Sequence, residues 1–214
     1  DYRYINQGIW WMVKIKLKLI KFLIFLILLI TGLQSLAKAD DIKDFEIEGL
    51  SIGDSLLNHF NINEIKNFQN YDDLPSDMSF RIIEIFSNEM KMELYDSVQI
   101  YYKPNDKSFK IHGVNGGLVC DSKKKCINQY DQIKDDISLL FGDSLEKENF
   151  SGKHMDDNTG QSKYKYIVYY HPYGEIAVGY LDWANHMNYN DNVSIDITTQ
   201  EVSNWVKNNY GLGG

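Results

Sequence analysis

Residues 94–120 read LYDSVQIYYKPNDKSFKIHGVNGGLVC, and 121–141 continue DSKKKCINQYDQIKDDISLLF. Two β-rich runs, 94–103 and 108–120, are separated by Pro104-Asn105-Asp106-Lys107, residue types that favour a tight turn. Gly113, Gly116 and Gly117 inside the second run point to a bulge or a close backbone approach. Ile127, Tyr130, Ile133, Ile137, Leu140 and Phe141 then recur at helical spacing, so a helix is expected over 126–141, ended by Gly142.

Upstream, 40–48 is an acidic, extended lead-in. Residues 51–68 suit one or two short helices, starting at Ser51 or Asp54, with Leu56, Leu57, Phe60 and Ile65 on one face. A turn-rich stretch, 71–79, precedes a strand over 80–86. Downstream, 150–160 is polar and flexible in character. Residues 163–170 and 175–182 form a second hairpin around His171-Pro172-Tyr173-Gly174, and 193–197 is another strand. The last helix has capping-box spacing from Thr198 to Glu201 and runs through Val202, Trp205 and Val206 towards Gly211. Hairpins dominate, so the expectation is an α+β fold: an antiparallel sheet built from hairpins with two or three helices packed on one face. The helix-then-hairpin order occurs twice, over about 50–120 and 126–210, within a single domain over 40–214, which suggests an internal duplication.

Lys14, Lys16, Lys18 and Lys21 precede an apolar run, 22–30, and the small-residue pattern Ala37-Lys38-Ala39. This is the layout of a secretory signal peptide over 12–39, cleaved after Ala39. The run is too short for a membrane span, so no span is expected after cleavage. Residues 1–11 precede Met12, the natural start of that signal, and read as an upstream extension.

The chain has 214 residues, with 22 Lys plus Arg against 30 Asp plus Glu. Six of those bases and one acid precede residue 40, leaving 16 against 29, or -13. Arg81 is the only arginine in that part. Such a chain repels nucleic acid and anionic lipid at long range, so nucleic acid is not expected as a partner. Lysine, asparagine, isoleucine and tyrosine are abundant in the manner of AT-rich coding sequence, which discounts the many tyrosines as a signal by themselves. Cys120 and Cys126 are a closely spaced pair that an oxidising compartment would join. A structural disulfide is the reading preferred over a redox or zinc site, which need C-x-x-C or about four close ligands.

The opening Asp44-Phe45-Glu46-Ile47-Glu48-Gly49-Leu50-Ser51-Ile52-Gly53-Asp54-Ser55-Leu56-Leu57 resembles a group of uncharacterised exported proteins from AT-rich marine alphaproteobacteria of the SAR11 type. The resemblance extends through the helix before Phe141 and the segments around Asp182-Trp183 and Ser194-Ile195-Asp196. It implies a Gram-negative periplasm and supplies no catalytic residue. As architecture alone, Gly49-Leu50-Ser51-Ile52-Gly53-Asp54 leading into a helix is also similar to the start of the helix-then-sheet modules of small envelope assembly proteins and β-lactamase inhibitor proteins.

His59, His112, His154, His171 and His186 are scattered, with no i, i+4 pair, and no Ser sits in G-x-S-x-G. No catalytic residue, metal ligand or cofactor is therefore assigned. The densest polar and aromatic stretch is the loop 182–192. Trp183 and Tyr189 offer stacking faces there, and Asn185, His186 and Asn188 offer directional hydrogen bonds, as a sugar or small polar ligand needs. A solvated turn with Trp183 in the core weighs more heavily. The alternation of Asn188, Asn190 and Asn192 suggests calcium, without the Gly and distal Glu of an EF-hand loop. Lys123-Lys124-Lys125 reads as a solvated basic tip, and the tyrosine-rich strands leave aromatics for a partner surface or a sheet edge. The expected function is a non-enzymatic, periplasmic or secreted binding protein for an envelope protein or a small polar ligand. The alternative is a small periplasmic hydrolase with a site near His171, Asp182 and His186.

Overall fold

The chain runs as two successive meanders whose final strands pair with each other. The structure, a computed structural model, describes residues 42–70, 77–141 and 144–210. The expected extension over 1–11, the signal over 12–39, part of the turn at 71–79 and the helix stops at Gly142 and Gly211 lie outside them. All described residues belong to one compact unit, 39–214.

β1 (Glu46–Ile47) and β2 (Leu50–Ser51) form a small hairpin where an extended lead-in was expected. Its turn holds Glu48 at φ 53 and Gly49 at φ 78, left-handed positions that glycine fills without strain and glutamate does not. Glu48 is held by its carboxylate, which accepts from the backbone N–H groups of Glu93 (2.8 Å), Leu94 (2.8 Å) and Tyr95 (2.9 Å). Ser55 caps a 3-10 turn at Leu56–Asn58, leaving Leu57 exposed, and Asn61 and Glu64 form a capping box that starts α1 (Ile62–Asn67). These caps replace Ser51 and Asp54 as the helix starts, since Ser51 belongs to β2.

β3 (Gln69–Asn70), β4 (Arg81–Phe86), β5 (Ser97–Tyr102) and β6 (Ile111–Val119) complete the first meander. α2 (Lys123–Phe141) begins three residues ahead of the apolar periodicity, with the Ser122 carbonyl accepting from Cys126 N at 3.1 Å. The Cys120–Cys126 disulfide, with Cα atoms 5.5 Å apart, ties its first turn to the end of β6. β7 (Glu146–Lys153), β8 (Lys163–His171), β9 (Gly174–Asp182) and β10 (Asn192–Thr199) follow. β7 ends inside the polar stretch that starts at residue 150, and almost all of its side chains are exposed, so it carries no apolar period. His171 pairs with Gly174, shortening the β8–β9 turn to two residues. α3 (Gln200–Tyr210) follows β10. Its cap is Thr199, whose hydroxyl accepts from Val202 N, while Thr198 turns to Ser203 instead.

The fold is α+β, with an eight-stranded antiparallel sheet in the order β3-β4-β5-β6-β10-β9-β8-β7. The order is palindromic: each unit of helix and four strands contributes its last strand to the centre.

One face of the sheet carries Ile83, Ile100, Val114, Ile197, Ile176 and Tyr169, all buried, under α1, α2 and the 42–56 segment. α3 packs at one end of the opposite face, where Val202 and Trp205 meet Phe80, Ile82 and Tyr101.

Candidate functional site

Strand alternation and register dictate what that opposite face presents. One row across it reads Ile82, Tyr101, Gly113, Thr198, Glu175, Tyr170, Glu146. The next is Gln69, Glu84, Gln99, Asn115, Asp196, Ala177, Val168, Glu148, and the third is Phe86, Ser97, Gly117, Ser194, Gly179, Tyr166, Phe150. α3 and Phe80 cover the first row, with Lys207 Nζ 2.5 Å from Glu175 and 5.5 Å over the Tyr170 ring. Among the described residues no element packs over the third row. Its floor is small side chains, and its rims are Phe86 on one side and Tyr166 with Phe150 on the other. A Cβ on Gly179 would lie 2.3 Å from the Tyr166 ring, so glycine is what lets that ring lie flat across the strand.

In the middle row Gln99 donates to Glu84 at 3.3 Å, and Asn115 donates to Asp196. Burial pushes the Asp196 carboxyl up to about 6, against the opposing pull of its bonds with Asn115 and Ser194.

A second group of residues gathers in loops beyond β9. Asp157, with its side chain 1% exposed, accepts from the backbone of Thr159 (2.9 Å), Gln161 (3.1 Å) and Ser162 (2.7 Å) and from the hydroxyls of Thr159 (2.6 Å) and Ser162 (2.8 Å). The Thr159 hydroxyl foremost, with the Ser162 and backbone donors, outweighs burial and holds Asp157 well below the ordinary carboxylate range. His186 Nε2 lies 3.1 Å from Asp157, and Ser162 Oγ accepts from Ala184 N at 3.0 Å, so this one carboxylate joins the loop 154–162 to the loop 183–191. Trp183 N donates to Asp191 at 2.8 Å, which closes the second loop.

Of the residues singled out as ligand contacts, Trp183 is half-buried against His154 (4.3 Å between ring centroids) and Tyr189 (4.9 Å). Much of its aromatic surface is thus used within the protein. Asn185 opens a 3-10 turn, Asn188 ends it in the left-handed conformation, and Tyr189 is exposed. The structure brings Trp183, His186 and Tyr189 to one end of the sheet. His171 lies at the other end of the β8–β9 hairpin, eight residues of strand or about 27 Å away, buried against Phe141 and Tyr173. Asp182 is taken by Lys123 at 2.5 Å. His171, Asp182 and His186 therefore do not converge on one centre. Lys125 pairs with Asp121, so two of the three tip lysines are engaged.

His59 stands beside Phe60, and His112 lies against Phe80 with its basicity lowered by burial. Among the described residues no three His, Cys, Asp or Glu side chains gather to hold a metal ion. Asp157, Thr159 and Ser162 went unnoticed in the sequence. Asp-x-Thr, the pattern of a side chain bonding its own backbone two residues on, is the signal that marks them.

No family model, curated protein or solved structure matches the chain.

Proposed function

We propose that this chain is an exported, non-enzymatic binding protein that docks a protein partner on the sheet face bearing Glu84, Asp196 and Phe150. The observation that carries this reading is the contrast between the two faces. One is sealed by α1, α2 and the 42–56 segment, while the other presents Phe86 and Phe150 at the two sides of a floor of Ser97, Gly117, Ser194 and Gly179. Aromatic rims around a flat floor supply large contact area at low conformational cost, as protein interfaces do. Small-ligand binding needs a concave pocket, and the Trp183 ring is engaged by His154 and Tyr189. The disulfide and the signal-like leader favour a periplasmic or secreted location, in keeping with the resemblance to exported SAR11-type proteins. No helix among the described residues is long and apolar enough to cross a membrane.

The test is capture from the cell envelope with wild type, Ser194→Arg and Leu139→Arg, the last placing a charge on the exposed side of α2. A stoichiometric partner kept by wild type and Leu139→Arg and lost by Ser194→Arg is expected. Equal retention by all three overturns the face assignment.

A further inference from the structure

The strands sort charge by face. The eight-stranded sheet contains five basic residues, Arg81, Lys147, Lys153, Lys163 and Lys165, and register places every one on the face that carries α1 and α2. Of its six acids, only Asp182 shares that face, where it is paired with Lys123. Glu84, Glu146, Glu148, Glu175 and Asp196 all lie on the opposite face, and there only Glu175 meets a lysine, Lys207. Glu84, Asp196 and Glu148 occupy one register row, each three strands from the next, or about 14 Å. The aromatic row Phe86, Tyr166, Phe150 runs directly beside it.

We propose that the partner docked on this face is a basic protein surface, with lysines or arginines answering Glu84 and Glu148, the outer members of that row, and its apolar residues set against Phe86 and Phe150. This rests on the docking reading above and adds the partner's chemistry. The two rows act differently. Charges at such spacing steer encounter and fix register, whereas desolvated rings supply contact. The same face refuses a second copy of this chain, since its own acids would oppose each other, and it refuses acidic partners. The chain's overall negative charge is not the source of this choice, because the sealed face is basic along its strands.

The experiment titrates isotope-labelled protein with a 20-residue peptide of alternating lysine and leucine, at about physiological salt, and maps amide shifts. Shifts are expected around residues 84, 97–99, 115–117, 148–150 and 194–196. Glu84→Gln with Glu148→Gln should weaken binding about five-fold, on the scale of two exposed ion pairs, and Asp135→Asn with Asp136→Asn on α2 by less than two-fold. Equal weakening by both pairs, or shifts centred on α2, means that bulk charge alone attracts the peptide and overturns the proposal. An envelope partner that is lost by Ser194→Arg yet has an acidic docking surface overturns the charge assignment and leaves the docking face standing. A partner unaffected by Ser194→Arg removes both.

Discussion

Asn115 and Asp196 face each other across the two central strands, and the amide of the first donates to the carboxylate of the second. Asp196 is thus held near the middle of the sheet with its affinity for a proton raised from 3.8 to about 6 by burial. A raised carboxyl means that the folded state binds the proton more tightly than the unfolded state does. The stability it contributes is full below about pH 4 and is lost as pH rises through 6. Asp196→Asn keeps an oxygen for Asn115 and removes this loss. The variant is expected to be about 1 to 2 kcal/mol more stable than wild type at pH 8, a figure reduced for the partial exposure of the site. The two should converge by pH 4, as followed by urea unfolding across pH.

Asp157 has the opposite sign. Its lowered affinity for a proton contributes stability that is present above about pH 4 and is lost as pH falls further. Asp157→Ala strands five local donors and should lower Tm more than His186→Ala, which removes one half-exposed partner. Thermal melts at pH 7 and pH 3.5 check both statements, and the gap between wild type and Asp157→Ala should narrow at the lower pH.

Tyr130 is 1% exposed, and its hydroxyl has no hydrogen-bond partner, although the ring lies 4.7 Å beneath Lys165 Nζ. An unsatisfied buried hydroxyl costs about 1 to 3 kcal/mol, so Tyr130→Phe should raise stability by about 1 kcal/mol or more and keep the ring's packing. Denaturant unfolding with an unchanged slope would verify it. A loss of stability would mean that the hydroxyl is satisfied by water.

β7 is the long free edge of the sheet among the described residues, with Lys147 and Lys153 on one face and Glu146 and Glu148 on the other. Two copies paired antiparallel along this edge would set lysine beside lysine and glutamate beside glutamate, because opposite residues must share hydrogen-bonding phase. Replacing all four with threonine removes that repulsion and supplies good strand formers. Such a variant should dimerise at concentrations where wild type runs as a monomer in light scattering.

The hairpins were legible because alternation is strong in strands that bury a face, as in Val98 and Ile100 or Ile176 and Val178. β7 was not, since its side chains meet solvent and carry no apolar period. The long helix was recognised from Tyr130, Ile137 and Phe141, but its start depends on Ser122, which lies outside the apolar repeat. The loop containing Trp183 was visible as a cluster, whereas its organiser, Asp157, sits 29 residues before His186. The charge sorting is a property of register, which no single strand reveals: Glu84 and Glu148 become members of one row only when six strand pairings are known.

The palindromic strand order also sets a timetable. β6 is finished first, yet its central neighbour, β10, is made only after the 72 residues between Val119 and Asn192. Until β10 arrives, the inner edges of β6 and β9 stand open, and each half-sheet offers bare backbone to any passing strand. Closure of the sheet is therefore a long-range, late event of the kind that slows folding. A chain cut short before residue 192 would expose two such edges at once, so premature termination in this protein leads towards aggregation rather than towards a smaller stable domain.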